Sequence, residues 1–186
     1  MDEAPLRETP AGLVPQGDGW FVLNARDAVW MERDGFGSRC GFEADGRVAA
    51  ELGVQPHLFP QLGIKLAVIE PGQRSTLYHA ETAQEDFLVL EGECLAIVEE
   101  QERRLKAWDL VHCPPETRHA FVNDGEAPCV LLMVGARREG AAILYPASEV
   151  AARHGAAVDT DTTSPNEAYA PYGHWRPVGG PKPGPS

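Results

Sequence analysis

Two separated stretches of the sequence combine imidazole and carboxylate side chains at spacings that suit a metal site. His79, Glu81 and Glu85 occupy alternate positions of PGQRSTLYHAETAQEDFLVLEGE, so in an extended chain their side chains project from one face of a sheet. His119 follows the Pro-Pro pair of WDLVHCPPETRHAFVND, where a tight reversal can turn its imidazole back towards the same region. Such ligands hold iron, manganese, zinc, nickel or cobalt. We therefore predict one divalent metal ion, with His79, Glu85 and His119 as core ligands and Glu81 as a fourth.

The elements that must position these residues are short apolar runs separated by turn residues. They begin at Leu62, and no helical pattern intervenes between them, which is typical of an antiparallel sandwich or barrel. The sequence therefore predicts an all-β fold. The runs are IKLAVIEPG, STLYHAE, DFLVLEG, CLAIVEE, RRLKAWD, LVHCPP, RHAFVND, PCVLLMVGAR and AAILYP.

The flanking segments differ in composition from this centre, and the chain divides into three parts. Residues 1–19 are rich in proline and glycine and predict an N-terminal arm, and residues 20–146 predict the barrel. Residues 147–186 predict one short helix in ASEVAARHGA, with a serine cap and a glycine stop, then an extended tail that is disordered at its end. Tyr169 and Trp175 suggest that part of the tail docks on its own barrel or on a neighbouring subunit.

The two stretches that carry the candidate ligands resemble the paired motifs of the cupins, G-x5-H-x-H-x3,4-E-x6-G and G-x5-P-x-G-x2-H-x3-N. In the first motif Glu85 precedes Gly92 by the expected interval, and His79 falls on the first histidine. Pro114, His119 and Asn123 match the second motif. The resemblance implies an antiparallel double-stranded β-helix, also called a jelly roll, with a metal-binding barrel.

The sequence departs from these motifs at several positions. Six residues instead of five separate Gly72 from His79, and Trp108 and Glu116 stand where the second motif has glycines, which affects turns more than ligands. Glu81 replaces the usual second histidine. Its added negative charge favours Mn²⁺ or Fe²⁺, with Zn²⁺ as an alternative, and a Glu81 that does not bind the metal is free to act as a base.

Cupins include dioxygenases, decarboxylases, sugar-phosphate isomerases, epimerases and proteins that bind ligands without catalysis, so the fold leaves the function open. We expect a metal-dependent enzyme that acts on a small oxygen-bearing molecule, in the manner of a dioxygenase or decarboxylase. The alternative is a non-catalytic module that binds a small ligand or only the metal. A sugar (phosphate) isomerase ranks below both, because only Lys65, Arg74 and Arg118 lie near enough in sequence to hold a phosphate. The resemblance also implies a homodimer.

Other side chains have more ordinary interpretations. Phe87 and Phe121 share the parity of the ligands, so they form either a wall of the substrate pocket or part of the core. The remaining histidines occupy no motif position and are expected to pack or face solvent. The four cysteines contain no Cys-x-x-Cys pair and are expected to be reduced, and three of them lie in apolar runs.

Charge and composition limit the kinds of partner that the protein is expected to bind. A net charge of -12 disfavours nucleic acid and anionic membranes, so a small molecule is the expected ligand. No apolar stretch approaches the length of a membrane span, and the first residues lack a signal-peptide pattern, from which we expect a cytoplasmic protein.

Overall fold

Short antiparallel strands dominate the computed structural model, which describes residues 1–180, so the predicted all-β class is confirmed. The predicted disorder at the end of the tail falls mainly on residues 181–186, which lie outside the described residues. The first seven strands are β1 (Leu6–Thr9), β2 (Gly12–Pro15), β3 (Trp30–Glu32), β4 (Ser38–Cys40), β5 (Leu62–Ile69), β6 (Ala80–Glu81) and β7 (Glu85–Glu91). The other seven are β8 (Glu93–Val98), β9 (Gln101–Lys106), β10 (Leu110–Cys113), β11 (His119–Val122), β12 (Cys129–Ala136), β13 (Ile143–Leu144) and β14 (Arg176–Val178).

Two sheets face each other around the core of the barrel. The larger has seven strands in the order β10-β7-β12-β5-β4-β3-β14, and the smaller has the order β11-β8-β9. Buried side chains from both sheets form one apolar cluster, which includes Phe87 and Leu131 from the larger sheet and Ala96 and Phe121 from the smaller. All four cysteines are buried and unpaired, as expected.

Three short helices accompany the strands in the described residues: α1 (Gly46–Leu52), α2 (Glu149–Arg153) and α3 (Pro165–Ala168). The predicted C-terminal helix is α2, and its cap is Ser148, whose hydroxyl accepts a hydrogen bond from the Ala151 amide. The sequence did not predict α1 or α3. Helix α1 nevertheless has regular ends, because Asp45 caps its first amides and Gly53 closes it at φ 66°.

The C-terminal segment returns to the chain's own barrel, which is the first of the two predicted alternatives. Strand β14 pairs antiparallel with β3, and Arg176 forms ion pairs with Glu32 and Asp34. Tyr172 packs edge-on against the buried Phe36 ring with 4.9 Å between centroids. The tail therefore covers one opening of the barrel.

No helix within residues 1–180 is both long enough and apolar enough to span a membrane.

Candidate metal centre

The two predicted histidine ligands lie directly opposite each other on neighbouring segments. His119 begins β11, and an isolated antiparallel bridge joins it to His79, just before β6. Their ring centroids are 4.6 Å apart, and both side chains are almost fully buried, at 5% exposure for His79 and 1% for His119. The turn after Pro114 and Pro115 therefore brings His119 back to the first motif, as the sequence suggested.

Glu85 completes the group from the larger sheet. It begins β7, where it is opposite Cys113 of β10 and Gly135 of β12. Its Oε2 lies 3.4 Å from His119 Nε2 and 3.9 Å from His79 Nε2. The predicted reason for this convergence was shared parity along one extended strand. In the structure the chain leaves β6 and enters a different sheet at β7, so the residues meet across two sheets.

The hydrogen bonds of the two imidazoles leave one nitrogen of each ring free to bind a cation. His79 Nδ1 lies 2.8 Å from the Leu77 carbonyl oxygen, and His119 Nδ1 lies 3.0 Å from that of Thr117. A carbonyl oxygen only accepts, so each Nδ1 carries the proton and each Nε2 presents a lone pair. Metal-binding histidines typically donate their other N–H in this way.

The geometry of the three groups fits a divalent cation. His119 Nε2 is buried and has no hydrogen-bond partner among the described residues, although such an atom normally finds one. The ligand atoms of His79, Glu85 and His119 all lie within 4.8 Å of one another. Metal–ligand bonds of about 2.0–2.2 Å place neighbouring ligand atoms roughly 3–3.5 Å apart, so small side-chain shifts suffice to close the site.

The electrostatics of the site without a cation favour neutral groups. Burial, followed by the neighbouring His119 ring, lowers the pKa of His79 to about 3, and burial also lowers the pKa of His119. Both rings are therefore neutral at neutral pH, the form that binds metals. Burial and the nearby Glu81 carboxylate raise the pKa of Glu85 to about 8, although Lys65 opposes this. A bound divalent cation would place positive charge beside Glu85 and would so stabilise its ionised form.

Glu81 lies beside this group but is not part of it. It is partly exposed at the end of β6, opposite Ile143 of β13, and it borders the cavity above the histidines. Burial raises the pKa of its carboxyl, with Lys65 as an opposing influence. The structure thus places Glu81 within electrostatic reach of Glu85 but outside the cluster of three ligand atoms.

The two predicted pocket phenylalanines lie in the core beneath His119. Phe87 and Phe121 are 1% and 0% exposed, and their ring centroids are 4.5 Å apart. Phe87 also packs against the His119 ring, with 4.9 Å between centroids. Of the two interpretations given above, the structure supports the core one, in which these rings hold the imidazole in position from below.

A cavity of about 680 Å³ opens beside His79 and Glu85, and many of its lining residues were not predicted as site residues. Several come from segments outside the two motifs, and no local pattern marks them. The predicted site residues on its lining are His79, Glu81 and Glu85. Its basic lining residues are Arg33, Arg39, Arg47 and Lys65, and its aromatic and imidazole ones are Tyr145, Tyr169, Tyr172, His174 and Trp175.

The central part of the chain matches a known family. Residues 65–135 match the family described as Cupin domain, and this range contains His79, Glu85 and His119. This central part of the chain is therefore a cupin domain, as the motif resemblance predicted.

Other proteins resemble parts of this chain at low identity. An uncharacterised protein of Methanocaldococcus jannaschii is 28% identical over 90 residues, which are 47% of this chain and 71% of the relative. A candidate sugar phosphate isomerase of Acidithiobacillus ferrooxidans is 27% identical with a TM-score of 0.45, over 57% of this chain and 64% of that one, just under two thirds of its length. A sugar phosphate isomerase from a cupin superfamily, of Silicibacter pomeroyi, is 25% identical with a TM-score of 0.46, over 67% of this chain and 68% of that one. Similarity at this level assigns no activity to this chain.

Proposed function

We propose that the chain is a metal-dependent enzyme acting on a small oxygen-bearing molecule, in the manner of the dioxygenases and decarboxylases among the cupins. The observation that carries the proposal is the convergence of His79 Nε2, His119 Nε2 and a Glu85 oxygen beside an open cavity. Two imidazoles and one carboxylate leave further coordination positions for substrate, and a bound cation would act there as a Lewis acid or O₂-activating centre.

The chain's own residues orient this site. The Leu77 and Thr117 carbonyls fix the proton on each Nδ1, so both Nε2 atoms stay available. The Tyr145 ring stacks on His79 at 5.7 Å between centroids and borders the cavity. A substrate in the cavity would therefore lie between the metal ligands and an aromatic wall.

Glu81 is the candidate for moving a proton in this reaction. Its carboxylate borders the cavity without joining the three ligand atoms, so it can reach a substrate and still leave the metal site intact. A positioned carboxylate is a common general acid or base. We assign it this role in preference to that of a fourth ligand.

A sugar (phosphate) isomerase or epimerase is the second candidate, and the composition of the cavity favours it more than the sequence did. The sequence suggested too few basic residues for phosphate, whereas Arg33, Arg39 and Arg47 border the same cavity as Lys65. The candidates differ in what they consume and release: a dioxygenase consumes O₂, a decarboxylase releases CO₂, and an isomerase does neither.

The experiment that tests the proposal combines metal analysis with turnover. The protein is purified from its native host, its metal is identified, and conversion of catechols, small carboxylates and sugar phosphates is followed with an oxygen electrode. We expect turnover that a chelator abolishes and the same metal restores, with iron and O₂ uptake for a dioxygenase or with CO₂ release for a decarboxylase. Tightly held zinc with no turnover on any of these substrate classes would overturn the proposal in favour of a non-catalytic binding module.

A further inference from the structure

Three arginines border the cavity from segments that precede the cupin match. Arg33 follows β3, Arg39 lies in β4, and Arg47 lies in α1, whereas the match to the cupin family begins at residue 65. The register places Arg39 opposite Ala67 of β5, so it projects from the same face as Lys65, two residues earlier on that strand. These cations are therefore an addition to the barrel and not part of its motifs.

The three guanidinium groups meet at one residue of the tail. The Arg39 Cζ lies 3.8 Å from the centroid of the Trp175 ring, and the Arg33 Cζ lies 5.1 Å from it. Arg47 donates a hydrogen bond of 3.2 Å to the Trp175 carbonyl. Arg33 also lies over the Tyr169 ring, at 4.7 Å. The tail and the arginines thus form one wall of the cavity.

None of these three arginines forms an ion pair within residues 1–180, where the paired arginines are others. Asp45 lines the same cavity and acts on Arg39 electrostatically, but its carboxylate accepts the hydrogen bonds that cap α1. Arg33 is only 9% exposed, and its Nε, like that of Arg74, has no hydrogen-bond partner among the described residues. Burial is the main cause that lowers the pKa of Arg39, to about 10, so this group keeps its charge at neutral pH. Arg47 is exposed, but holding the buried Arg33 and the half-buried Arg39 close together without a paired carboxylate is unfavourable unless an anion joins them.

Holding the tail by cation–π contacts does not by itself account for this arrangement. Arg74 makes the same kind of contact, with its Cζ 4.4 Å from the Phe36 centroid and 4.9 Å from that of Tyr172. It does so from a position off the cavity lining. Arg74 therefore holds the tail from outside the cavity. Contact with the tail alone does not require three further arginines on the cavity lining.

We propose that Arg33, Arg39 and Arg47 form a subsite for a doubly charged anionic group, a phosphate monoester, on a substrate whose oxygen atoms reach the metal ligands. Guanidinium groups bind phosphate through paired hydrogen bonds, and a phosphate monoester carries close to two negative charges at neutral pH. Lys65 lines the same cavity and interacts electrostatically with Arg39, Glu81 and Glu85. It therefore lies between the arginines and the carboxylates of the candidate metal centre. A cavity of about 680 Å³ has room for a phosphorylated small molecule.

Inorganic phosphate is the probe for this subsite, titrated calorimetrically into the full-length protein as purified. We expect phosphate to bind more tightly than acetate, and Arg39→Met to weaken phosphate binding about tenfold. Arg47→Met, at an exposed helical position, should also weaken it and is the second variant if Arg39→Met fails to fold. Arg74→Met is the matched control, because it removes a cation–π contact with the tail but no cavity charge.

The subsite rests on the proposed function, but the two fail separately. His119→Ala, which removes a proposed metal ligand, should still bind phosphate, because the arginines and not the metal hold it. Wild-type phosphate affinity in both folded Arg39→Met and Arg47→Met, or phosphate binding no tighter than acetate, would overturn the subsite and leave the metal-dependent function standing. Arginine-dependent phosphate binding in a protein without bound metal would support the subsite and overturn the proposed function.

Discussion

His79 and His119 exchange both of their backbone hydrogen bonds. The His79 amide donates to the His119 carbonyl at 3.1 Å, and the His119 amide donates to the His79 carbonyl at 2.8 Å. Residues opposite each other in an antiparallel bridge point their side chains to the same face, so the backbone itself brings the imidazoles together. Replacing either ring removes a ligand but leaves this bridge in place.

Removing the His119 imidazole should therefore weaken metal binding while the barrel stays folded. We expect His119→Ala to retain the circular dichroism of the wild type but to lower metal affinity by at least about tenfold, as loss of a ligand requires. Elemental analysis after dialysis against limiting metal measures this. His112→Ala is the matched control, because His112 is exposed and paired with Asp86 at 2.6 Å. Wild-type metal content in His119→Ala would remove this residue from the site.

Glu81→Gln should separate proton transfer from metal binding. Because Glu81 lies outside the cluster of three ligand atoms, we expect the variant to keep its metal and to lose about 100-fold or more in kcat once a substrate is known. Glu85→Gln is the comparison and should lose metal. A Glu81→Gln protein depleted of metal would instead make Glu81 a fourth ligand.

The metal-free protein should lose stability as the pH rises from 6.5 to 8. Burial raises the pKa of Glu85 from 4.5 to about 8, so in this window the folded chain holds a proton that the unfolded chain has lost, and the free energy of unfolding falls with pH. The slope is at most about 1.4 kcal/mol per pH unit for one group. His79, whose pKa burial lowers from 6.5 to about 3, acts in the opposite direction only below this window.

Denaturant unfolding of chelator-treated protein at several pH values measures this slope. Glu85→Gln should show a smaller slope, and saturating metal should abolish it in the wild type by stabilising the ionised carboxylate. An equal slope in the wild type and in Glu85→Gln would show that Glu85 does not titrate in this way.

Glu116→Gly should stabilise the barrel. Glu116 replaces a motif glycine but keeps the left-handed backbone of that position, with φ 70°, and it is exposed. This conformation is unfavourable for a residue with a Cβ atom, so we expect a gain of about 0.5–1 kcal/mol in the free energy of unfolding. Glu126→Gly, at an exposed position without positive φ, should give no gain and is the control. Equal effects of the two changes would contradict the explanation.

The motifs predicted the barrel and the convergence of His79, Glu85 and His119, because they encode local geometry. Trp108 and Glu116 illustrate this: both replace motif glycines, and both have positive φ, at 75° and 70°. The turns of the motif therefore persist without the residues that usually make them. The shared parity of His79 and Glu85 predicted that they lie close together, and they do, but the strand breaks between them and parity along one strand is therefore not the full reason.

The arginine wall could not be predicted from the sequence. Arg33, Arg39 and Arg47 come from a loop, a three-residue strand and a seven-residue helix, each too short to show a periodic pattern. Their position depends on the docking of Trp175, more than a hundred residues away in the chain, and no local signal records that contact. The homodimer and the three-part division of the chain stay predictions.

The most direct test of the metal centre is a crystal structure of metal-loaded protein, with anomalous diffraction recorded at the absorption edge of the metal identified in the purified protein. We predict one anomalous peak, within about 2.0–2.3 Å of His79 Nε2, His119 Nε2 and a Glu85 carboxylate oxygen. A peak elsewhere in the molecule, or none at these three side chains in protein that contains one metal ion per chain, would contradict it.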